Sequence, residues 1–261
     1  MAKAVAKKQD AEVTAWGGYE GPTGFEGTDK SELAIPFINL LQSNSEMVEA
    51  DKAKAGQFFN NIMETVHDDL KIIPCAKQRV FVEWIPVDDG GGFVGLHEPT
   101  SDFVLEAIAK NGNNTRDIKV ADGKHDLVET IYLYVLVHDG NDWQRAVISF
   151  SSSKLKKYRQ FLMKATSQTL LVGDRKIQLP LWAHRWTLTS EEEVSKANGR
   201  KYKNLSLAFD GETAKDCRLT PDDPIFIMAQ DFHDMVVNGM AKADHSTMDT
   251  TSSNVDDDIP F

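Results

Sequence analysis

The sequence predicts an α+β fold: a β-rich, OB-like barrel with inserted helices. Three observations point to it. Many short segments rich in β-branched and aromatic residues are separated by turn residues, one helical segment lies between two groups of strands, and a second helix follows the last strand. We expect three regions: a flexible N-terminal arm at 1–31, one folded domain at 32–240, and a disordered acidic tail at 241–261.

Composition limits the class of protein. The chain has 261 residues, of which 41% are hydrophobic and 26% are charged, values ordinary for a globular domain. Its apolar runs are too short to span a membrane, and the N-terminus lacks the apolar core of a signal peptide. Cys75 and Cys217 are far apart in sequence and are expected to be reduced, buried thiols. The expected compartment is the cytoplasm.

The first half of the domain is predicted to be mostly strands. Pro36 interrupts the first of them, which favours an edge position. Ser101 is a good N-cap for a short helix that ends near Lys110, and 111–124 is predicted to be a polar loop. The turn at 139–142 predicts a hairpin. The predicted strands are 33–42, 56–65, 70–74, 78–87, 127–138 and 143–150.

The second half adds the two longer helices. Apolar residues recur at helical spacing between Ser153 and Thr166, and cations occupy the remaining surface of that segment. A charged loop is predicted at 190–199. Thr220, followed by proline and two aspartates, predicts the start of a helix that ends near Met240. The predicted strands are 170–172, 176–179, 181–189 and 202–209.

Charge is distributed unevenly along the chain. The net charge is −11, yet the segment 143–189 contains nine bases and one acid, a balance of +8. The segment 241–261 contains one base and five acids, a balance of −4. An acidic protein with one concentrated basic stretch is typical of a protein that binds a polyanion along a defined path.

The basic stretch also contains aromatic residues, and single-stranded nucleic acid needs both cations for phosphates and flat rings for bases. The alternative is a solvated helix face beside core aromatics. Rings in the arm, Trp16, Tyr19 and Phe25, either pack on the domain or stack on bases. The candidate DNA-binding residues are Arg145, Lys154, Lys156, Lys157, Tyr158, Arg159, Lys164, Arg175, Lys176, Trp182, Arg185, Trp186, Arg200, Lys201, Tyr202 and Lys203. Even spacing along a single strand would place Trp182 and Trp186 on one face.

The last six residues are the most specific motif. Asp256, Asp257 and Asp258 precede Ile259, Pro260 and Phe261, so the chain ends with an aromatic ring beside its free carboxylate. A partner protein can bind such a tip with an apolar pocket, an arginine and a basic rim. The alternative is an ordinary solubilising terminus.

This tip resembles the one that ends bacterial single-stranded DNA-binding proteins. The rest of the chain is more similar to phage-encoded members of that functional class; segments 35–43, 81–86 and 90–95 are similar to phage proteins. The resemblance implies a non-enzymatic protein that coats single-stranded DNA in replication, recombination or repair. It also implies that Asp256–Phe261 recruits replication, recombination or repair enzymes.

Two other functions remain open: a metal-dependent nuclease with a similar tip, and a decoy that occupies the host partners of the tip without binding DNA. The glycine-rich segment 90–95 spells GxGxxG, but Pro99 precedes any helix, which argues against a dinucleotide site. The histidines and cysteines show no zinc spacing. We therefore predict no catalytic residues, no metal, no cofactor and no membrane partner; the oligomeric state stays open.

Overall fold

The fold is organised around one large antiparallel sheet. The computed structural model describes residues 35–140, 142–195, 199–241 and 243. The predicted arm and nearly all of the predicted tail lie outside these residues. The strands are β1 (Ile38–Leu40), β2 (Phe58–Asn60), β3 (Thr65–His67), β4 (Leu70–Ile85), β5 (Gly92–His97), β6 (Ile118–Val120), β7 (His125–His138), β8 (Trp143–Ser151), β9 (Thr169–Val172), β10 (Arg175–Gln178), β11 (Trp186–Val194) and β12 (Lys201–Phe209). The helices are α1 (Glu46–Glu49), α2 (Asp102–Lys110), α3 (Lys154–Thr166) and α4 (Pro224–Val237), with 3₁₀ turns at Val87–Asp89 and Leu181–Ala183.

Two long strands, β4 and β7, form the centre of the sheet. The strand order is β12-β11-β4-β7-β6, with β5 also joined to β4 and β8 to β7. The two long strands pair with each other along most of their length. In addition, β4 pairs with β11 near its start and β5 near its end, and β7 pairs with β6 near its start and β8 towards its end. Side chains of β7 alternate between two cores, with Leu133 and Val135 on one face and Tyr134 and Leu136 on the other. Both faces of this central strand are buried.

The three longer helices cover different parts of the sheet. Helix α4 packs Phe226, Ala229 and Phe232 on one face, against residues of β4, β7 and β8. Helix α3 packs Tyr158 and Phe161 on the opposite face, in a core shared with β1, β11 and β12. Helix α2 closes a third, smaller core near Phe81. Burial of apolar area, at about 25 cal/mol per Å², is the main force that holds these layers together.

A bulge lets β4 run unbroken through a proline. The register with β7 shifts between Pro74 and Ala76, which leaves Cys75 as the extra residue. A proline inside a sheet is tolerated at such a bulge because no ladder hydrogen bond is needed there. Cys75 and Cys217 are buried free thiols, as predicted, and burial raises the pKa of both.

Two small sheets complete the fold: β1-β2-β3 and the β9–β10 hairpin. A parallel bridge between Phe37 and Val147 brings the first of them beside β8. The α+β class is confirmed. The ladders of the described residues form open sheets rather than a closed barrel, so the OB-like barrel stays a prediction.

Several predicted boundaries were wrong for identifiable reasons. Segments 70–74 and 78–85 belong to one strand, Leu70–Ile85, because the bulge accommodates Pro74; the predicted strand 78–87 extends two residues past its end. The segment 181–189 is not one strand, since Leu181–Ala183 forms a 3₁₀ turn. The charged segment 190–194 is strand because it pairs with β12. The predicted loop 111–124 contains β6, and the last helix starts at Pro224, where Asp223 is the N-cap.

The N-terminal half contains the features that the turn residues predicted. Ser101 caps α2, its Oγ accepting a hydrogen bond from the Val104 N–H. Gly92 opens strand β5 instead of a helix, which removes the basis for a dinucleotide site at 90–95.

Among the described helices, none has the length and hydropathy needed to cross a bilayer.

Candidate nucleic-acid interface

Helix α3 separates its side chains by the helical period, as predicted. Tyr158 and Phe161 point into the core, and Phe161 meets Trp186 edge-on with ring centroids 4.8 Å apart. Lys156, Arg159 and Lys164 lie on the outer face and are exposed. The helix thus presents three cations to solvent because its apolar stripe is buried on the sheet.

The two remaining lysines of α3, Lys154 and Lys157, are not exposed cations that could contact a phosphate. Lys154 is buried, and it lines a small cavity with residues of β1, β8 and β12. Lys157 forms ion pairs with Glu191 and Glu193 of β11. Burial alone would lower the pKa of Lys157, but hydrogen bonds from its ammonium to these carboxylates outweigh burial and raise it.

Other predicted DNA-binding cations are also paired with acids, either in β11 or directly after β12. Lys201 pairs with Glu192 at 2.8 Å and Lys203 pairs with the same carboxylate at 3.7 Å. Arg185 pairs with Asp210 at 3.6 Å. The charge balance of +8 covers residues 143–189 only. Glu191, Glu193 and Asp210 lie outside that segment in sequence, but the fold brings them beside its cations Lys157 and Arg185.

Glu193 is held most firmly. The Tyr202 hydroxyl and the Asn204 side-chain amide donate to its Oε2 at 2.6 and 2.9 Å. Burial would raise the pKa of Glu193, but these bonds and Lys157 lower it to about 2. The hydroxyl of Tyr202, a predicted DNA-binding residue, is therefore hydrogen-bonded to a carboxylate in this structure.

The predicted rings face inward. Trp186 is 1% exposed and Tyr158 is 5% exposed, so neither can stack on a base in this conformation. Trp182 lies half-buried beside Phe226 and His233. Trp182 also precedes β11, so it does not share a strand face with Trp186. The pairing of cations with exposed aromatics that the sequence predicted is absent from the described residues of α3, β11 and β12.

Arg145 and Arg200 differ in exposure. The guanidinium of Arg145 lies over the Phe232 ring, 5.5 Å from its centroid, and the residue is half-buried between β8 and α4. Arg200 is exposed just before β12. Of the two, Arg145 stabilises the packing of α4.

The β9–β10 hairpin extends from the end of α3. Gly173 occupies the turn with φ of 60°, the left-handed conformation that a two-residue hairpin turn needs at its first position. The Gln168 carbonyl accepts a hydrogen bond from the Leu179 N–H at 3.1 Å and closes the base. Seven of the eight strand residues are exposed, including Arg175 and Lys176.

Five predicted residues thus share one exposed region of the chain, which we name the α3–hairpin surface: Lys156, Arg159, Lys164, Arg175 and Lys176. In the part of the chain that the structure describes, none of the five forms an ion pair with a carboxylate. Such cations are free to contact phosphates.

One polar cluster was missed by the sequence analysis. Glu83 is buried between two histidines, with 2.8 Å from its Oε2 to His97 Nε2 and 2.6 Å from its Oε1 to His125 Nδ1. Burial would raise the pKa of Glu83, but the hydrogen bonds from His125 and His97 lower it. The three residues are 14 and 42 positions apart, which hides them in sequence. No group of three or more histidine, cysteine or acidic residues within the described ranges could hold a metal ion.

The predicted partner-binding tip, Asp256–Phe261, lies outside the described residues. No similar protein was found among curated proteins, and no solved structure matches the chain. A family model does match, over residues 3–242, which is most of the chain. This match confirms the prediction of a phage protein. The chain belongs to the Pam3 phage gp34-like protein family.

Proposed function

We propose that the protein binds single-stranded DNA without sequence preference and without enzymatic activity, in phage DNA replication, recombination or repair. The observation that carries the proposal is the α3–hairpin surface, where five exposed cations lie on one helix and the hairpin that follows it. The rest of the chain is strongly acidic, so a polyanion would be confined to this surface.

The finer fold assignment is part of this proposal. We infer an OB-like barrel from two contacts that join the segments flanking β1, in the small sheet β1-β2-β3, to two strands of the large sheet, β8 and β12. Phe37 bridges Val147 of β8, and the Gln42 side chain bonds the backbone of Lys203 in β12. The shared core of β1, β4, β7, β8, β11 and β12 supports a barrel-like arrangement.

Contacts with bases would come from aromatic residues other than the candidates in segment 143–203. Since Trp186 and Tyr158 are buried, the arm becomes the better source of stacking rings, with Trp16, Tyr19 and Phe25. The tip Asp256–Phe261 would recruit replication, recombination or repair enzymes through its aromatic ring and its aspartates.

Fluorescence titration with a labelled oligonucleotide tests the proposal. We expect strong binding to single strands, much weaker binding to duplex, and a slope of log affinity against log salt of about −2.8 to −3.5 for four or five phosphate contacts. A slope near zero would contradict the electrostatic part.

Two alternatives give different results in the same assay. Loss of the labelled strand in magnesium or manganese would indicate a nuclease. A protein that binds no oligonucleotide but captures host replication or repair enzymes through its tip would be a decoy.

A further inference from the structure

The β9–β10 hairpin is an incomplete structural unit. A two-stranded hairpin alone is marginally stable in water and needs packing against another element. Within the described residues β9 and β10 pair only with each other, and seven of their eight residues are exposed. Leu170, Val172 and Ile177 are 38%, 54% and 43% exposed. Such an element is expected to dock on something outside its own subunit.

The two faces of the hairpin differ in character. Residues directly opposite each other lie on the same face, so the register places Leu170 beside Ile177 and Val172 beside Arg175. We call this set the aliphatic face. The other face pairs Leu171 with Lys176 and Thr169 with Gln178. The aliphatic face offers three adjacent apolar side chains and one cation.

A second exposed apolar region lies along strand β5. Strand β5 has one hydrogen-bonded neighbour, β4, among the described residues, and its Val94 and Leu96 are exposed. Helix α2 adjoins its end, where the rings of Phe103 and His97 lie 4.4 Å apart. We call this region the β5–α2 surface. Its exposed acids are Asp88, Asp89, Glu98, Asp102 and Glu106.

We propose that the aliphatic face of the hairpin docks on the β5–α2 surface of a second copy of this chain. Apolar side chains would meet apolar side chains, and Arg175 would meet the acids around β5 and α2. One such contact joins two different surfaces, so it leaves the β5–α2 surface free on one copy and the hairpin free on the other. Repeated heterologous contacts of this kind build open chains or closed rings of subunits. Lys176, on the other face, stays available to a polyanion.

Analytical ultracentrifugation of the full chain without DNA tests the docking independently of the proposed function. We expect the mass to rise with protein concentration, and Ile177→Ser and Arg175→Glu to weaken this self-association at least tenfold. Leu171→Ser and Lys176→Glu are matched controls, with the same chemical changes on the other face, and should leave it unchanged.

A charge swap identifies the partner surface. Glu98→Arg with Glu106→Arg should weaken self-association as Arg175→Glu does, and combining all three should restore at least part of it. A protein that stays monomeric at all concentrations would overturn the proposal. So would self-association that Ile177→Ser and Arg175→Glu leave unchanged, including the case in which they reduce only DNA affinity and the hairpin contacts DNA instead.

Discussion

The side-chain amide of Gln42 replaces a strand partner for Lys203. Its Nε2 donates to the Lys203 carbonyl at 2.8 Å, and its Oε1 accepts from the Lys203 N–H at 2.9 Å. Gln42 is 4% exposed, so these bonds form away from water. One side chain therefore joins the segment after β1 to β12.

We predict that Gln42→Ala lowers the free energy of unfolding by about 2 kcal/mol, since it leaves backbone groups of Lys203 unpaired. Urea denaturation measures the change. Gln57→Ala is the control, because Gln57 makes its hydrogen bonds in an exposed position, and it should cost less than about 0.5 kcal/mol. Equal costs for the two variants would show that the Gln42 bonds add no stability.

Trp186→Ala should destabilise the fold by about 3–5 kcal/mol, because its ring fills the core between Phe161 and Phe209. The DNA affinity of the molecules that remain folded should be unchanged. Denaturation followed by oligonucleotide titration separates the two effects. A stable variant with a large loss of affinity would place Trp186 in the DNA site.

Exposed and paired cations should differ in their contribution to DNA binding. Changing Lys156, Arg159 and Lys164 together to alanine should make the salt slope less steep by about 2, since each single-strand phosphate contact contributes about −0.7. Lys201→Ala is the matched control, because Lys201 already pairs with Glu192. If Lys201→Ala changed the slope by more than one third of the change produced by the triple variant, the interface would move to β12.

As pH is lowered, the free energy of unfolding should decrease in two separate pH ranges. Burial, with Arg218 nearby, lowers the pKa of His184 from 6.5 to about 4, so the fold holds its neutral form. Protonation then favours the unfolded chain, and stability should fall as pH drops from about 6.5 to 4. The pKa of Glu193 is lowered from 4.5 to about 2, so its contribution should disappear from about pH 4.5 to 2.

Denaturation of two variants checks these windows. His184→Gln should flatten the pH dependence only in the upper window, and Glu193→Gln only in the lower. If either variant followed the wild-type curve throughout, its group would not be the one that titrates.

Removal of residues 256–261 should leave folding intact, leave DNA affinity equal or higher, and abolish recruitment of partner enzymes. The reason is charge: a tethered acidic segment is present at an effective concentration in the millimolar range and competes with DNA at low salt. Phe261→Ala should abolish recruitment in pull-downs yet barely change DNA affinity, because no charge is lost. Much weaker DNA binding by the truncated protein would contradict this picture.

Local patterns predicted local features well. The helical period predicted a buried apolar stripe on α3 with cations such as Lys156 on its remaining surface, and the alternation of β7 with the turn after His138 predicted the β7–β8 hairpin. Each of these depends on residues close in sequence. They needed only side-chain periodicity and turn chemistry.

Features formed by distant residues were not predictable in this way. Lys157 and Glu191 are 34 positions apart, and Gln42 and Lys203 are 161 positions apart. The predicted loop at 190–199 failed because the charged residues of β11 are stabilised by cross-strand partners such as Lys203 opposite Glu192. Composition alone marked that segment as loop.

The pairing of β4 with β11 has a consequence for synthesis. Leu70 pairs with Leu188 and Ile72 pairs with Trp186, so the two strands are separated by more than 110 residues. A ribosome adding about 5–20 residues per second needs roughly 6–24 s to make that length of chain. During this interval the start of β4 has no partner along that edge. The domain is therefore expected to reach its native state only after β11 has emerged, late in translation.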